Sequence, residues 1–309
     1  METRRIGSLS VSLVGLGCNN FGWRLDVDAT ARVVDAALEV GVNFLDTADI
    51  YGGTKSEEFL GQVLAGRRDQ VVLATKFGMK VDDARQGAKP AYVRQAAEDS
   101  LRRLQTDHID LYQLHQPDPS TPIADTLAAM DELVQSGKVR EIGCSNFSAA
   151  QIGEAKAAVK DGAARFVSVQ NQYSLLHREP EAEVLAECER EGLAFLPFFP
   201  LESGLLTGKY RRGQPVPEGT RLSEGERMTG RFRTAPHQEV ADRLADFAER
   251  RGHTLLELAF SWLASHGVIA SVIAGATSPE QVRANANSVG WKLIADDLAE
   301  VDRIAPRES

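Results

Sequence analysis

The sequence predicts an α/β protein in which eight strands alternate with helices, and three observations support this prediction. The chain has 309 residues, more than the roughly 250 that an eightfold α/β barrel needs as one domain. Short apolar runs recur along it, and several lack polar alternation, as strands buried on both faces do. Amphipathic stretches with helix-ending residues lie between the runs. The eight predicted strands span residues 13–17, 43–47, 71–76, 109–115, 140–145, 166–170, 193–198 and 271–275.

Residues that begin and end helices occur between these runs. Ser56 and the two glutamates after it are predicted to open one helix, and Phe59 begins its apolar stripe. Pro122 is predicted at the first position of another helix, which Gly137 ends. A glycine just past a helix can take the left-handed conformation that ends it, and this is predicted for Gly41, Gly162 and Gly192.

Three segments fall outside the strand–helix repeat. Residues 6–13 are hairpin-like and suit a plug across the floor of a barrel. Residues 201–234 are rich in Gly, Pro and Arg without clear periodicity, and a loop of that length is predicted to be functional. Residues 296–304 are predicted to form a short helix after the last repeat. Eight such units fit a closed barrel or an open doubly wound sheet, and one domain over residues 1–309 is predicted because no linker divides them.

Composition and charge exclude several classes of protein. The net charge is 35 − 44 = −9, which disfavours binding to nucleic acid or anionic lipid. No run of about 18 apolar residues could span a membrane, and no secretory signal is present. Cys18, Cys144 and Cys188 form no CxxC pair and indicate reduced thiols. A soluble, cytoplasmic protein that binds neither nucleic acid nor membrane is therefore expected.

Polar residues stand at the C-terminal ends of five consecutive predicted strands. They are Asp46, Lys76, His115, Ser145 with the following Asn146, and Gln170, at separations of 30, 39, 30 and 25 residues. In a parallel barrel these ends face one mouth, where barrel active sites lie. We therefore expect the five positions to form one site. The histidines show no paired metal-ligand spacing, so no metal site is predicted.

Several motifs occur in an order that resembles one enzyme family. Asp46-x-Ala-x-x-Tyr51, then Lys76, then Leu-His115-Gln-Pro resemble the catalytic tetrad of the aldo-keto reductases. Segments 143–147, 170–173, 200–209 and 275–285 resemble that family's cofactor segments. The chain thus resembles the aldo-keto reductase superfamily, in particular its bacterial branch related to potassium-channel β-subunits. The resemblance implies a (β/α)8 TIM barrel with an N-terminal β-hairpin, a long loop after strand 7 and an extra C-terminal helix.

The resemblance implies reduction of aldehydes or ketones to alcohols, with Tyr51 as proton donor. Carbonyl reduction needs a hydride at carbon and a proton for the developing alkoxide. A phenol with a pKa near 10 is a weak acid at neutral pH, and an ammonium group about 4 Å away can lower that pKa. Lys76 is expected to lower the pKa of Tyr51 in this way, with Asp46 as its counter-ion and His115 as a hydrogen-bond donor that orients the carbonyl.

The resemblance also implies that NADPH or NADP⁺ binds extended across the barrel mouth, with NADH as the other candidate. The substrate side would be lined by Trp23, Tyr51 and His115. Phe198 would lie against the nicotinamide ring, and Lys209 near the pyrophosphate. The full set of expected cofactor-binding residues is Gly17, Asn20, Ser145, Asn146, Gln170, Phe198, Leu201, Gly204, Lys209, Gly275, Thr277, Gln281 and Asn285.

The sequence departs from the family pattern where the 2′-phosphate of NADPH would bind. Many aldo-keto reductases have a Lys and an Arg at the positions of Gly275 and Gln281, and neither residue is basic here. Thr277, Ser278 and Arg283 remain as phosphate partners, and backbone N–H groups before the helix at this segment could hold an anion. Arg283 could equally face solvent. NADPH is favoured over NADH mainly because the family commonly uses it.

Two other functions stay open at this stage. One is a cofactor-binding regulatory subunit of the channel β-subunit type, and the other is an alcohol or sugar dehydrogenase that works in the oxidising direction. Substrate identity and oligomeric state are not predicted. A basic cluster in the segment after strand 7 is expected to form a lid over the cofactor pyrophosphate; its members are Lys209, Arg211, Arg212, Arg221, Arg227, Arg231 and Arg233.

Overall fold

Eight parallel strands form a nearly closed barrel in the computed structural model, which describes residues 1–211, 214–218, 223 and 233–307. Each of the first six barrel strands pairs with the next one along the chain, and the eighth pairs with the first. A bridge between Phe195 and Ile269 brings the remaining two edges together. The predicted (β/α)8 barrel is therefore confirmed. The strands are β1 (Thr3–Ile6) and β2 (Leu9–Ser12), which form an antiparallel hairpin, and the barrel strands β3 (Val14–Gly17), β4 (Phe44–Asp46), β5 (Val72–Phe77), β6 (Ile109–Leu114), β7 (Val139–Ser145), β8 (Phe166–Gln172), β9 (Ala194–Phe198) and β10 (Val272–Gly275).

Helices pack around the barrel and return the chain from one strand to the next. Ten α-helices lie within the described residues: α1 (Val27–Glu39), α2 (Lys55–Val63), α3 (Pro90–Leu104), α4 (Ile123–Gln135), α5 (Ala149–Ala158), α6 (Val184–Glu191), α7 (Ala235–Arg250), α8 (Leu255–Ala264), α9 (Pro279–Ala286) and α10 (Ala295–Ile304). A 3₁₀ segment, Glu202–Thr207, follows β9. The last helix, α10, is the predicted C-terminal addition.

The predicted strands agree with the observed ones to within two residues at every end. The hairpin was predicted at residues 6–13, and this was wrong at its start, because the strands pair from Thr3 with Ser12 to Ile6 with Leu9. Its buried side chains share a cluster with inward-facing barrel residues such as Phe44 and Leu111. The hairpin therefore does form the predicted plug in the barrel floor.

Helix ends differ from the predictions in three places. Helix α2 begins one residue earlier than predicted, after Thr54. Pro122 precedes α4 instead of opening it, because its ψ of 131° is extended and not helical. Gly162 lies beyond the end of α5 in a separate turn. Gly41 and Gly192 follow α1 and α6 with φ of +79° and +65°, as predicted.

The long segment after the seventh barrel strand is only partly within the described residues. Of its predicted basic cluster, Arg212, Arg221, Arg227 and Arg231 lie outside them, so the lid stays a prediction. Arg211 forms an ion pair with Glu249 on α7. Within the described residues, no helix combines the length and apolar character needed to cross a bilayer. All three cysteines are buried, and none is in a disulfide.

A buried polar network ties the turn after β4 to the helices behind it. Glu57 of α2 accepts hydrogen bonds from Thr75 Oγ1 at 2.5 Å and from Arg103 Nε at 2.6 Å. The Tyr92 hydroxyl of α3 donates to Asp49 Oδ2 at 3.4 Å. Asp49 Oδ1 is buried and has no hydrogen-bond partner among the described residues. Burial and the negative charge of Glu57 raise the pKa of Asp49 from 3.8 to about 7.

Asp49→Asn should make the protein relatively more stable as pH rises. The folded-state pKa of Asp49 lies above its unfolded value, so its contribution to stability is full below about pH 4 and falls as pH rises through about 7. Asparagine does not ionise, so the variant does not lose stability in this way. Relative to wild type, the free energy of unfolding of the variant should gain about 2 to 3 kcal/mol between pH 5 and pH 8. Urea denaturation at both pH values measures this, with the exposed Asp83→Asn as control. If the difference in free energy of unfolding between Asp49→Asn and wild type does not change with pH, Asp49 ionises normally.

Candidate active site

A buried ion pair between Lys76 and Asp46 occupies the centre of the barrel mouth. Lys76 Nζ donates to Asp46 Oδ2 at 2.6 Å and to the backbone oxygen of Thr47 at 2.9 Å. The side chains are 0% and 4% exposed. Burial lowers the pKa of Lys76, but the charge of Asp46 and the hydrogen bonds of Asp46 and Tyr51 raise it by more, so its pKa lies above the usual value. Lys76 is therefore a charged ammonium group inside the protein.

Two glutamines hold the second oxygen of this carboxylate. Gln170 Nε2 donates to Asp46 Oδ1 at 3.0 Å, and Gln113 Nε2 donates to the same atom at 3.2 Å. Both are buried. Gln113 was missed in the sequence, although a glutamine within the apolar run of β6 is a signal of a buried polar contact. The carboxylate is thus fixed by groups from β5, β6 and β8.

Tyr51 lies in the turn after β4, above the ammonium group. Lys76 Nζ is 5.2 Å from the centre of its ring. Burial raises the pKa of Tyr51, the charge of Lys76 lowers it and that of Asp46 raises it, and the result is a pKa above 10. The prediction that Lys76 lowers the pKa of Tyr51 below its usual value is therefore wrong for the protein alone, because the effect of burial is larger. Tyr51 carries its proton at neutral pH.

His115 follows β6 and faces Tyr51. The two ring centres are 5.9 Å apart and nearly perpendicular, at 79°. Burial and the positive charge of Lys76 lower the pKa of His115 to about 3. Its Nδ1 is buried without a hydrogen-bond partner among the described residues. At neutral pH the imidazole is uncharged and has one N–H to donate.

A cavity of about 680 Å³ opens beside these groups. Asp46, Tyr51 and His115 contribute to its wall, whereas Lys76 lies behind them. Trp23 does not line the cavity; the residue is 57% exposed, and the Arg24 guanidinium lies 5.0 Å from the centre of its ring. A substrate contact by Trp23 stays a prediction. All thirteen expected cofactor residues do line it, namely Gly17, Asn20, Ser145, Asn146, Gln170, Phe198, Leu201, Gly204, Lys209, Gly275, Thr277, Gln281 and Asn285.

The end of the cavity near α9 differs from what the sequence suggested. Gln281 Oε1 accepts hydrogen bonds from the Thr277 N–H at 2.9 Å and from its hydroxyl at 3.2 Å. The Thr277 N–H is therefore already used and not free for an anion. Arg283 forms an exposed ion pair with Glu39 at 2.8 Å and does not line the cavity. Ser278 Oγ accepts from the Gln281 N–H and caps α9.

The turn after β9 has an unusual backbone. Phe199, Glu202 and Ser203 have φ of +51°, +44° and +55°. A residue with a side chain in this region costs about 1–3 kcal/mol and persists only where its surroundings hold it. Leu201, Ser203 and Gly204 of this turn line the cavity. The Ser203 hydroxyl is buried and has no hydrogen-bond partner among the described residues. Ser203 was not among the site residues predicted from the sequence.

These features fit a nicotinamide dinucleotide. The cavity volume is within the range of small-molecule sites, roughly 300–1,000 Å³. The Ser203 hydroxyl offers a hydrogen bond that no group in the described part of the chain uses. Among the described residues, the cations that line the cavity are Arg24 and Lys209, and they suit an anionic ligand. No group of three or more possible metal ligands is found within the described residues.

Comparisons with known proteins agree with this geometry. Residues 13–306 match the Aldo/keto reductase family. The chain is 34% identical to aldo-keto reductase YhdN of Bacillus subtilis, over 96% of this chain and 90% of that protein, and 32% identical to protein tas of Escherichia coli, over 98% and 97%. A solved structure of aldo-keto reductase AKR11C1 from Bacillus halodurans, a holo form, has a TM-score of 0.82 at 35% identity, covering 99% of this chain and 96% of that one. Glycerol dehydrogenase AKR11B4 from Gluconobacter oxydans has a TM-score of 0.84 at 31% identity, covering 98% and 94%. The chain belongs to the aldo/keto reductase family and is an oxidoreductase.

Proposed function

We propose that this enzyme reduces aldehydes or ketones to alcohols with NADPH, and that Tyr51 is the proton donor. The observation that carries the proposal is the arrangement of a protonated Tyr51 and an uncharged His115 at one cavity, above the buried Lys76–Asp46 pair. A bound nicotinamide cofactor supplies the hydride. The expected cofactor residues all line the same cavity.

Tyr51 and His115 act on the substrate oxygen. The His115 N–H donates a hydrogen bond to the carbonyl oxygen, which orients it and stabilises negative charge there. The Tyr51 hydroxyl donates its proton to the same oxygen as an alkoxide develops. An alkoxide is a much stronger base than a phenolate, so the transfer is favourable even when burial raises the pKa of the tyrosine.

Lys76 and Asp46 act after the proton has left. The phenolate of Tyr51 then lies beside the ammonium group of Lys76, and the opposite charge stabilises it in surroundings that exclude water. Asp46 keeps Lys76 charged and fixed in position, and Gln113 and Gln170 fix Asp46. Proton return from solvent restores Tyr51 for the next turnover.

A second function is the reverse reaction, oxidation of an alcohol or sugar. One solved structure that resembles this chain is named glycerol dehydrogenase. The same residues serve both directions, because Tyr51 would then accept the proton that it otherwise donates. Assays with carbonyls plus reduced cofactor and with alcohols plus oxidised cofactor separate the two. A protein that binds cofactor but turns over in neither direction would instead support the regulatory alternative.

We also propose a cytoplasmic location, which the three cysteines without disulfides support.

Tyr51→Phe should lower kcat for carbonyl reduction by about 10²–10⁴-fold, the usual loss on removing a general acid. The Kd for NADPH should change by less than about twofold, because the hydroxyl acts only as charge develops on the substrate. Steady-state kinetics and calorimetric titration measure the two quantities. Tyr112→Phe is the matched control, since Tyr112 is buried against Phe77 and does not line the cavity. Turnover close to that of wild type in Tyr51→Phe would refute the proposed donor.

NADPH should bind no more than about tenfold more tightly than NADH, and Arg283→Ala should leave both Kd values within about twofold. The reason is that Arg283 is held by Glu39 at the surface, outside the cavity. Lys209→Ala is the comparison, and we expect it to weaken both cofactors, because Lys209 lines the cavity and is proposed to lie near the shared pyrophosphate. A selective loss of NADPH affinity in Arg283→Ala would show that this residue leaves Glu39 to bind the 2′-phosphate.

A further inference from the structure

Glu202 is a buried carboxylate at the back of the turn after β9. It is 2% exposed. Its Oε1 accepts a hydrogen bond from Ser174 Oγ at 2.7 Å, and Gln172 Nε2 is 3.2 Å and 3.4 Å from its two oxygens. Among the described residues it takes part in no ion pair, and it does not line the cavity. It therefore has no direct part in the chemistry proposed above, yet the fold keeps a carboxyl group buried there.

Among the described residues, Glu202 is the acceptor of the side-chain hydrogen bonds that Ser174 and Gln172 donate. Ser174 Oγ accepts hydrogen bonds from the backbone N–H groups of Leu176 and His177, each at 3.1 Å, so its single hydrogen is directed to Glu202. Gln172 is the last residue of β8 and pairs with Phe198 of β9. The contact thus links the rigid end of one strand pair to the turn that follows it.

This link holds a turn whose backbone is disfavoured. Glu202 and its neighbour Ser203 both have positive φ, as does Phe199 three residues earlier. Side chains clash with the backbone in this region, so the turn would relax without a contact that holds it. Of these three residues, Glu202 has a side chain that forms hydrogen bonds with Gln172 at the end of β8 and with Ser174 just after it.

We propose that Glu202 is a positioning residue, which acts through Gln172 and Ser174 to keep the turn 199–204 in the shape that binds the cofactor. Leu201, Ser203 and Gly204 contribute to the cavity wall, and the Ser203 hydroxyl is held there without a partner among the described residues. Glu202 thereby sets cofactor affinity without touching the cofactor. This inference rests on the proposed function, since it assumes that the cavity binds a nicotinamide dinucleotide.

The experiment compares Glu202→Ala, Glu202→Gln and wild type by calorimetric titration with NADPH and by steady-state kinetics. Glu202→Ala should raise the Kd about tenfold, as expected if the ordered turn falls to about a tenth of the population. Its kcat at saturating cofactor should fall by no more than about twofold, because Tyr51, Lys76 and His115 are untouched. Glu202→Gln keeps an oxygen that accepts from Ser174 and should stay within about threefold of the wild-type Kd. Hydrogen exchange of residues 199–207, without cofactor, should be faster in Glu202→Ala only.

Ser174→Ala tests the route of the effect and remains informative if Glu202→Ala does not fold. It should raise the Kd, and it should add little when combined with Glu202→Ala, because the contact with Glu202 that it removes is already lost in that variant. Glu181→Ala is the matched control: it removes another buried glutamate, bound by Arg178, that does not line the cavity, and it should lower Tm without changing the Kd.

Several outcomes would overturn the inference. One is an unchanged Kd for NADPH in Glu202→Ala, and another is additive effects of Ser174→Ala and Glu202→Ala on that Kd. The third is an equal loss of NADPH affinity in Glu202→Ala and Glu202→Gln. If wild type binds NADPH and these results appear, only the role of Glu202 fails. If wild type binds neither NADPH nor NADH, the proposed function fails with it. Slow exchange of the turn in every variant would likewise show that Glu202 does not hold it.

Discussion

The ion pair between Lys76 and Asp46 is the interaction on which the rest of the site depends. Removing two charges from water is costly, and a buried pair survives only when its remaining hydrogen-bonding groups are also satisfied. Here Thr47 accepts from the ammonium group, while Gln113 and Gln170 donate to the carboxylate. These five residues belong to the ends of β4, β5, β6 and β8. The pair can therefore form only when the barrel has closed enough to bring four strand ends together.

The same environment shifts the pKa values of Tyr51 and His115 in opposite directions. Burial raises the pKa of Tyr51 and lowers that of His115 to about 3, so both are uncharged at neutral pH. The positive charge of Lys76 lowers the pKa of both. In the histidine it adds to the effect of burial, and in the tyrosine it opposes it. In the proposed mechanism, one ammonium group thus keeps the imidazole neutral as a hydrogen-bond donor and also stabilises the tyrosinate that proton transfer would leave.

Much of the fold, and the meeting of polar residues at one cavity, could be predicted because each depends on a local signal. Buried parallel strands are continuous apolar runs, and polar residues at their ends meet at one mouth whatever the loops do. The failures involve interactions between residues that no periodicity relates. The Thr277 N–H, expected to be free for an anion, is bound by Gln281, whereas the exposed position of Arg283 beside Glu39 is one of the two alternatives that the sequence left open. The pKa of Tyr51 was predicted with the wrong direction because the charge of Lys76 can be inferred from a motif, whereas the extent of burial cannot.

The two halves of the cavity are held in different ways, and this has consequences for how the enzyme can vary. Asp46, Lys76 and Gln170 lie on strands, where backbone hydrogen bonds to neighbours on both sides fix their spacing. The turn 199–204 has no such ladder, and its backbone is in a region that its side chains disfavour. Backbone hydrogen bonds from Glu202 N–H to Phe199 O at 3.0 Å and from Gly204 N–H to Leu201 O at 2.8 Å hold it from within, and the side-chain contacts of Glu202 with Gln172 and Ser174 tie it to the end of β8. A substitution in this turn can change the affinity for a ligand while the strand ends keep Asp46, Lys76 and Gln170 in place. Under the proposed function, cofactor affinity is thus the property that single substitutions can adjust, whereas the arrangement of Asp46, Lys76 and Gln170 is tied to the closure of the barrel itself.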